Sequence, residues 1–233
     1  MGTSWEFIIS FFCYNITVRH LTTLLLIVSS MYATSIQEYI NKQNCDQIID
    51  KQVYTICYDY NFKGALYVAY ELDGALVNKT NLKERHKFYS EKNLPSKYKS
   101  HYKDYTHSGY DRGHLANDAA FDYDEKVVRK TYSMANIIPQ APNVNRKTWI
   151  KAEKYERYTA VKLGSVQVIN GVIYDKSPKR IGKNNIAVPD GFWKMIYNDK
   201  KNFKRCFYYK NDLNTVIKGD KLKNHEIDCK KLN

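Results

Sequence analysis

Alternation of apolar and polar residues is clearest in the first third of the chain, in the segment ALYVAYEL at 65–72. A strand with this alternation buries one face and exposes the other to water, which is typical of antiparallel sheets. The pattern predicts strands at 53–60 and 64–72. Residues 36–50, which precede them, have the spacing of a short amphipathic helix.

The second half of the chain predicts further strands at 186–197, at 203–209 and within 166–174. Asn170-Gly171 divides the last of these segments, and this dipeptide supplies the positive φ angles of a type I′ turn. Residues 166–174 are therefore predicted to form a hairpin. A chain of 233 residues is long enough for one domain with a substantial core.

Two apolar runs, 7–18 and 21–33, occupy the N-terminus, with Arg19 and His20 between them. The second run has the features of an export signal: a short basic start, an apolar centre and the small residues Ala33-Thr34-Ser35. Neither run reaches the length of a membrane span, which is about 20 residues. The pattern therefore favours cleaved export over anchoring.

We expect a signal peptide at 1–35, with translation from Val18 as an alternative start, and a single domain at 36–233. The expected location is secreted or periplasmic, with no stable membrane insertion after signal cleavage. The alternative is a protein anchored to the membrane by an uncleaved N-terminal segment.

Cysteine usage agrees with export. Four of the five cysteines follow residue 35, and an even number in an exported chain predicts disulfide bonds. The local pairs Cys45–Cys57 and Cys206–Cys229 are the preferred pairing among the three that four cysteines permit. Free buried thiols are the alternative.

The charge balance is strongly basic. The chain has 37 basic and 24 acidic residues, a net charge of +13, and such an excess promotes binding to polyanions through counterion release. DNA and RNA, contacted through their phosphates, are the leading candidate partners. Solubility from a lysine-rich surface is the plainer alternative. The 21 tyrosines suit a β-rich fold and offer surfaces on which bases stack.

Residues with distinctive chemistry are concentrated between 110 and 157, beginning with Asp111-Arg112-Gly113-His114. Glycine lets the backbone approach a ligand closely, and the forked arginine matches phosphate oxygens. Histidine can accept a proton near neutral pH. The tetrapeptide therefore suits phosphate chemistry.

Two more polar clusters follow in the same segment. Residues 136–140, with the sequence NIIPQ, read as a short strand that carries Asn136. Asn145, Trp149 and Glu153 are four residues apart, which places them along one broad face of a helix that Asn145 would cap.

The motifs DRGH (111–114), N-x-x-P-Q (136–140) and N-x-x-x-W-x-x-x-E (145–153) occur in this order. Together they resemble the DNA/RNA non-specific endonucleases, the ββα-metal nucleases of the endonuclease G type. The resemblance implies an α+β fold: a central antiparallel β-sheet flanked by helices, with a ββα-metal finger that carries the active site. It also implies hydrolysis of phosphodiester bonds in DNA and RNA, leaving 5′-phosphate ends.

The resemblance also implies roles for individual residues. His114 would be the general base that takes a proton from the attacking water, with metal ligation as its alternative role. Asn145 would be the one direct protein ligand of a hydrated Mg²⁺, with Mn²⁺ as an alternative ion. Glu153 would orient waters around that ion. Activity is expected to decline as the pH falls through the histidine range, about 6.5 for an unperturbed group.

The remaining roles concern geometry and charge. Asn136 would fix the geometry of the site, while Arg112 and Arg157 would neutralise charge on the pentacovalent phosphorane. Relatives carry one more arginine directed at the substrate phosphate, and Arg85 is the candidate here, although an ordinary solvated loop residue is the preferred interpretation. Asp111 would hold either Arg112 or nearby backbone.

The alternative function is a catalytically inactive nucleic-acid-binding protein on the same fold, for example in DNA uptake or adhesion. Presence of His114, Asn145 and Glu153 together favours the enzyme. Both a monomer and a homodimer are compatible with the sequence.

Overall fold

A computed structural model describes residues 44–83 and 85–232 of the protein. The predicted signal peptide at 1–35 and the first residues of the helix predicted at 36–50 lie outside the described residues. The described part of that helix prediction is wrong, because Gln47–Asp50 forms the first β-strand. This strand pairs with the next one, and tertiary pairing overrides the local amphipathic pattern.

The strands, in chain order, are β1 (Gln47–Asp50), β2 (Thr55–Asp59), β3 (Gly64–Asp73), β4 (Asp111–His114), β5 (Ile137–Gln140), β6 (Ser165–Ile173), β7 (Arg180–Ile181), β8 (Ile186–Ala187), β9 (Gly191–Asn198), β10 (Phe203–Lys210) and β11 (Glu226–Ile227). The α-helices of the described residues are α1 (Glu125–Thr131) and α2 (Ile150–Leu163), and a π-helical turn (Val144–Trp149) leads into α2. Short 3₁₀ turns lie at Ser96–Tyr98, Tyr102–Tyr105, Asp118–Ala120, Met134–Asn136, Asp199–Lys201, Leu222–His225 and Cys229–Leu232.

A seven-stranded sheet in the order β1-β2-β3-β6-β9-β10-β11 organises the fold, and its neighbouring strands are antiparallel. Helix α2 lies against β3, β6 and β9. β4 pairs with β5 in a separate two-stranded ribbon, and β7 pairs with β8. These elements confirm the predicted α+β fold with a central antiparallel sheet.

The main core lies between the sheet and the layer formed by α2 and the ribbon. Apolar side chains from both layers meet there, including Val68, Val168, Phe192 and Ile196 from the sheet and Leu115, Ile138, Trp149, Ala152 and Ala160 from the other layer. Burial of apolar surface on this scale is the main force that holds α2 and the ribbon against the sheet.

The hairpin predicted at 166–174 is wrong, because β6 runs without a turn from Ser165 to Ile173. The Asn170 side chain is buried and donates to the backbone oxygen of Leu115 at 2.8 Å and to the hydroxyl of Tyr70 at 3.1 Å. A Cβ on Gly171 would lie 2.0 Å from Cε2 of Trp193. The dipeptide therefore serves side-chain packing in a central strand, not a turn.

Disulfides join Cys45 to Cys57 and Cys206 to Cys229, each with Cα atoms 5.2 Å apart. This is the predicted pairing. The first bond ties the chain before β1 to β2, and the second ties the C-terminal segment to β10, so both staple edges of the sheet.

None of the helices in the described part of the chain is long and apolar enough to cross a membrane.

Candidate active site

The ribbon places the DRGH sequence opposite the NIIPQ sequence. In the antiparallel register, Asp111 is paired with Gln140 and His114 with Ile137. Gly113 is required here because a Cβ on it would lie 2.0 Å from Oε1 of Gln140. The ribbon continues through the π-helical turn into α2, so two strands and a helix together form the predicted ββα unit.

His114 ends β4 in an aromatic environment. Its ring centroid lies 5.5 Å from that of Phe88 and 5.1 Å from that of Tyr132, which meets it edge-on. The ring nitrogen Nε2 is buried and has no hydrogen-bond partner among the described residues. Burial, and to a lesser extent the positive charge of Arg85, lower the pKa of His114 from 6.5 to about 3. The imidazole is therefore neutral at pH 7 and keeps a free lone pair.

Asp111 connects the ribbon to the start of the helical segment. Its Oδ2 accepts from the amide Nδ2 of Asn145 at 2.9 Å. Arg146 adds a two-pronged pair, with Nε on Oδ2 at 2.7 Å and Nη2 on Oδ1 at 2.6 Å. The predicted partners of Asp111, Arg112 and backbone, are thus replaced by Asn145 and Arg146. Because Nδ2 of Asn145 is engaged, its Oδ1 remains as the free donor atom for a ligand.

Asn145 is not a helix cap, contrary to the prediction. It lies inside the π-helical turn, and its side chain contacts Asp111 instead of a helical N–H. π-Helical turns are rare and frequent at functional sites. Of the three residues predicted to share a face, Trp149 is fully buried in the core, while Asn145 and Glu153 are partly exposed.

Glu153 lies in the first turn of α2. Burial raises its pKa from 4.5 to about 7, against the opposing positive charge of Lys194, and the negative charge of Glu156 raises it further. Part of this carboxyl is therefore protonated at neutral pH in the ligand-free protein. Nearby positive charge, from a bound cation for example, would favour its ionised form.

A buried polar network lies beneath α2. The side chains of Glu156 and Lys194 form an ion pair with both partners 0% exposed. Glu156 also accepts from the hydroxyl of Tyr70 at 2.9 Å and from Nδ2 of Asn117 at 2.5 Å. Asn117 in turn accepts from Nη1 of Arg157 at 2.8 Å. The predicted site residue Arg157 is thereby held by Asn117, which lies three positions after His114 in the sequence.

Sequence reasoning did not identify Asn117, Glu156 or Lys194 as part of the site. The one available signal was Lys194 in an otherwise apolar predicted strand, since lysine is almost never fully buried unless it is paired. That position indicates an internal partner without identifying it.

Asn136 is buried at the end of a 3₁₀ turn, one residue before β5, and not within the strand as predicted. Its amide accepts from the backbone N–H of Ala116 at 2.9 Å and donates to the backbone oxygens of Ala116 at 2.9 Å and Thr131 at 2.8 Å. It therefore clamps the segment that follows His114.

Arg112 turns away from Asp111. Its Nε and Nη2 donate to the backbone oxygen of Tyr102 at 3.2 and 3.1 Å. Its guanidinium lies 5.7 Å from the Phe88 ring, which also contacts His114. Arg112 and His114 therefore share one face of the ribbon.

Arg85 is an exposed loop residue whose charge lies near His114. It forms an ion pair with Asp118, which also accepts from the hydroxyl of Tyr132 at 2.8 Å. Its charge is close enough to lower the pKa of His114. Its side chain is largely exposed, so Arg85 is an accessible cation beside the histidine.

The donor set fits a hydrated metal ion and not a fully protein-bound one. Residues 44–83 and 85–232 contain no group of three or more His, Cys, Asp or Glu side chains that could hold a metal. Mg²⁺ prefers oxygen ligands and keeps several waters. Asn145 would hold such an ion through its amide oxygen, and the carboxylate of Glu153 would be available to waters around it.

The arrangement defines a nuclease-like fold with a ββα unit. A solved structure described as the EndoG/EndoGI complex is similar, with a TM-score of 0.74, 22% identity, and coverage of 81% of this chain and 83% of that chain. The sequence profile of the DNA/RNA non-specific endonuclease family matches residues 32–233. The chain belongs to this family, as the three motifs predicted.

Several curated relatives share this similarity. Mitochondrial endonuclease G of Homo sapiens is 30% identical over 160 residues, which are 64% of this chain and 54% of the relative. Mitochondrial nuclease EXOG of Danio rerio is 30% identical over 158 residues, covering 63% and 46%. A nuclease of Nostoc sp. is 29% identical over 147 residues, covering 63% and 52%. The chain thus spans about half the length of the curated relatives it matches.

Proposed function

We propose that this chain is an exported endonuclease that hydrolyses phosphodiester bonds in both DNA and RNA. It uses His114 as general base and a hydrated Mg²⁺ held by Asn145, with Mn²⁺ as the alternative ion. It leaves 5′-phosphate ends. Family membership and the names of the relatives support the reaction class.

The observation that carries this proposal is the state of His114. It is a neutral imidazole whose buried Nε2 has no hydrogen-bond partner in the part of the chain that the structure describes, and it lies on the same four-residue strand as the aspartate that fixes Asn145. A general base needs an unprotonated lone pair at the working pH, within hydrogen-bond reach of the proton that it takes. The general base and the ion's ligand are thus supplied by one rigid ribbon and the turn that follows it.

The chain's cations suit the phosphate. Arg112 shares a face with His114, Arg157 is held by Asn117, and Arg85 is accessible beside the histidine. Guanidinium groups stabilise charge that develops on phosphate oxygens. A cation on Asn145 would add Lewis-acid stabilisation of the same charge. The protein's own part is to place these charges around the phosphate and to take the proton at His114.

Export is part of the proposal. Two disulfides suit an oxidising compartment, in agreement with the apolar run and small-residue site that end at Ser35. Intact mass of the protein recovered from the growth medium should begin after Ser35; a mass that includes residues 1–35 would contradict cleavage.

A plasmid-nicking assay tests the reaction. We expect conversion of supercoiled DNA in Mg²⁺, no conversion in EDTA, and cleavage of a structureless RNA under the same conditions. Product ends should accept a kinase label only after phosphatase treatment, because they carry 5′-phosphate. A parent protein that binds DNA without cutting it would favour the inactive nucleic-acid-binding protein instead.

The two central residues should fail in different ways. His114→Ala should reduce kcat by about 10²–10⁴ at every Mg²⁺ concentration, because it removes the base and not the ion's ligand. Asn145→Ala should instead raise the Mg²⁺ concentration needed for half activity, with recovery at high Mg²⁺. His107→Asn is the matched control, since His107 is exposed and its φ of 58° suits asparagine. Near-parental kcat in His114→Ala would refute the general-base role.

A further inference from the structure

A groove of about 630 Å³ lies beside the start of β4, outside the set of residues with proposed catalytic roles. Its lining includes Tyr110, Tyr208, Asp190, Asp212, Leu213 and Asn214. The volume falls within the range of about 300–1,000 Å³ typical of small-ligand sites. A group the size of a nucleobase therefore fits.

The groove continues the face of the ribbon that carries His114. Side chains alternate along a strand, so Tyr110, Arg112 and His114 point to the same side. Shared contacts agree, because Arg112 lies over the rings of Phe88 and Tyr105. Phe88 and Tyr110 both pack against the buried cluster that contains Tyr105. At about 3.3 Å per residue, Tyr110 lies about 7 Å from Arg112 along the strand. A nucleic-acid strand with one phosphate at Arg112 would therefore have a neighbouring nucleotide at Tyr110.

Two tyrosine rings line the groove. Tyr110 and Tyr208 are both partly exposed, and the rings of tyrosines stack on any nucleobase. The ammonium of Lys179 lies 5.2 Å from the Tyr110 ring centroid. Lys179 is not one of the lining residues, but its charge beside Tyr110 suits a phosphate of the sugar-phosphate backbone.

Acidic side chains determine which part of a nucleotide enters. Asp190, Asp212 and Lys210 all line the groove. The Lys210 ammonium lies 3.7 Å from the Asp212 carboxylate, so Asp190 is the carboxylate that this lysine does not pair with. Carboxylates repel a phosphate and accept hydrogen bonds from the N–H groups of bases. The groove therefore suits a base, while Arg112 and Lys179 suit the phosphates on either side.

We propose that the groove between Tyr110 and Tyr208 is a stacking subsite for an unpaired base of the nucleic-acid strand, next to the phosphate that is cut. The inference rests on the proposed nuclease function. A base can reach these rings only when it has left its stack, so the subsite favours single-stranded or locally opened substrates.

The test uses trinucleotides in which one phosphodiester is cleavable and the other is a methylphosphonate. A natural base or an abasic residue is placed on the 5′ or the 3′ side of the cleavable bond. Removing the base on one side should lower kcat/KM of the parent by about 5- to 150-fold, the usual range for one stacked base. Tyr208→Ala should cleave the substrate with the natural base and the abasic substrate with equal kcat/KM. Tyr208→Phe should keep the parental ratio of these two kcat/KM values because it keeps the aromatic ring. Tyr158→Ala, at an exposed tyrosine on α2 (61% exposed), is the control.

A binding measurement separates this inference from the nuclease proposal. In EDTA, a trinucleotide with 2-aminopurine on the sensitive side should lose fluorescence on binding to the parent and to Tyr208→Phe, and much less with Tyr208→Ala. Quenching without any cleavage in Mg²⁺ would overturn the proposed function but keep the subsite. Cleavage with equal rates for base and abasic substrates on both sides, or an unchanged ratio in Tyr208→Ala, would overturn the subsite.

Discussion

Two carboxylates brace the candidate site, and they differ most in their contact with water. Glu156 is sealed inside the protein with Lys194, both 0% exposed. Asp111 is at the surface, with its own side chain 15% exposed and that of its partner Arg146 64% exposed. One carboxylate supports the site from the protein core, and the other supports it at the protein surface.

The two environments have opposite consequences for energy. An ion pair deep in the protein gains strength from the low dielectric but costs much desolvation, so removing one partner leaves a bare charge. An exposed pair is weakened by water and salt and contributes little to stability. The buried network therefore fixes the position of Arg157, whereas the exposed Asp111 cluster is freer to adjust.

The largest effect should come from breaking the buried pair. Lys194→Met should lower the free energy of unfolding by about 3–5 kcal/mol, because it leaves the Glu156 carboxylate charged and unpaired in the core. The double variant Lys194→Met/Glu156→Gln should recover much of that loss, since it removes both charges. Urea unfolding followed by circular dichroism measures both; equal stability of the single and double variants would contradict this account.

A smaller effect, on function and not on stability, should follow from breaking the exposed cluster. Asp111→Ala removes the acceptor that orients the amide of Asn145, and loss of such outer partners typically weakens metal binding about 10- to 100-fold. The Mg²⁺ concentration for half-maximal cleavage should rise by that factor while the urea midpoint changes little. A large fall in stability with an unchanged Mg²⁺ requirement would reverse the assignment of the two carboxylates.

The pH dependence of stability sharpens the comparison, because the two titratable groups of the site shift in opposite directions. The lowered pKa of His114, about 3 against 6.5, contributes stability that is present above pH 6.5 and lost as the pH falls towards 3. The raised pKa of Glu153, about 7 against 4.5, contributes stability that is present below pH 4.5 and lost as the pH rises through 7. Between about pH 4.5 and 6.5, His114 makes the free energy of unfolding rise with pH, while Glu153 makes it fall.

Single variants should separate these slopes. Relative to the parent, the free energy of unfolding of Glu153→Gln should increase as the pH rises across that window. The increase is at most about 1.4 kcal/mol per pH unit, the value for a difference of one bound proton. His114→Ala should show the opposite difference. Thermal or urea unfolding at several pH values provides the measurement, and parallel curves for all three proteins would show that neither group is shifted. Because the pKa of His114 is lowered, the pH below which cleavage declines should also lie well below the value of 6.5 expected from the sequence.

Local motifs carried most of what the sequence could predict. The residues of the three motifs and the short strand that carries Pro139 depend on chemistry within a few positions, and the structure places them as expected apart from Asn136, which precedes that strand, and the helix cap. The disulfide pairs join cysteines 12 and 23 positions apart, and they are the most local of the three possible pairings. The partners that brace the site depend on long-range contacts. Glu156 and Lys194 are 38 residues apart, and Asn117 and Glu156 are 39 apart, so no spacing rule reveals them.

The failed predictions have the same cause. Asn170-Gly171 is a strong local turn signal, but the Asn170 amide finds Leu115 and Tyr70 across the core, and Gly171 makes room for Trp193. Asn145 is a good cap by its type, but the helical segment already begins at Val144, so Asn145 lies inside it and its Nδ2 donates to Asp111. In both cases the residue takes a partner distant in sequence, and the local role that the pattern predicts is not adopted.

The smallest effect should come from Arg146→Ala, which removes the solvent-facing half of the Asp111 cluster. An exposed pair contributes about 0–1 kcal/mol to stability, so the urea midpoint should change little. Asn145 keeps its bond to Asp111, and the Mg²⁺ requirement should therefore stay close to parental, in contrast to Asp111→Ala. If Arg146 also contacts a phosphate, the slope of log affinity for DNA against log salt should become shallower by about one. A rise in the Mg²⁺ requirement as large as that of Asp111→Ala would mean that Arg146, and not Asp111 alone, orients the amide of Asn145.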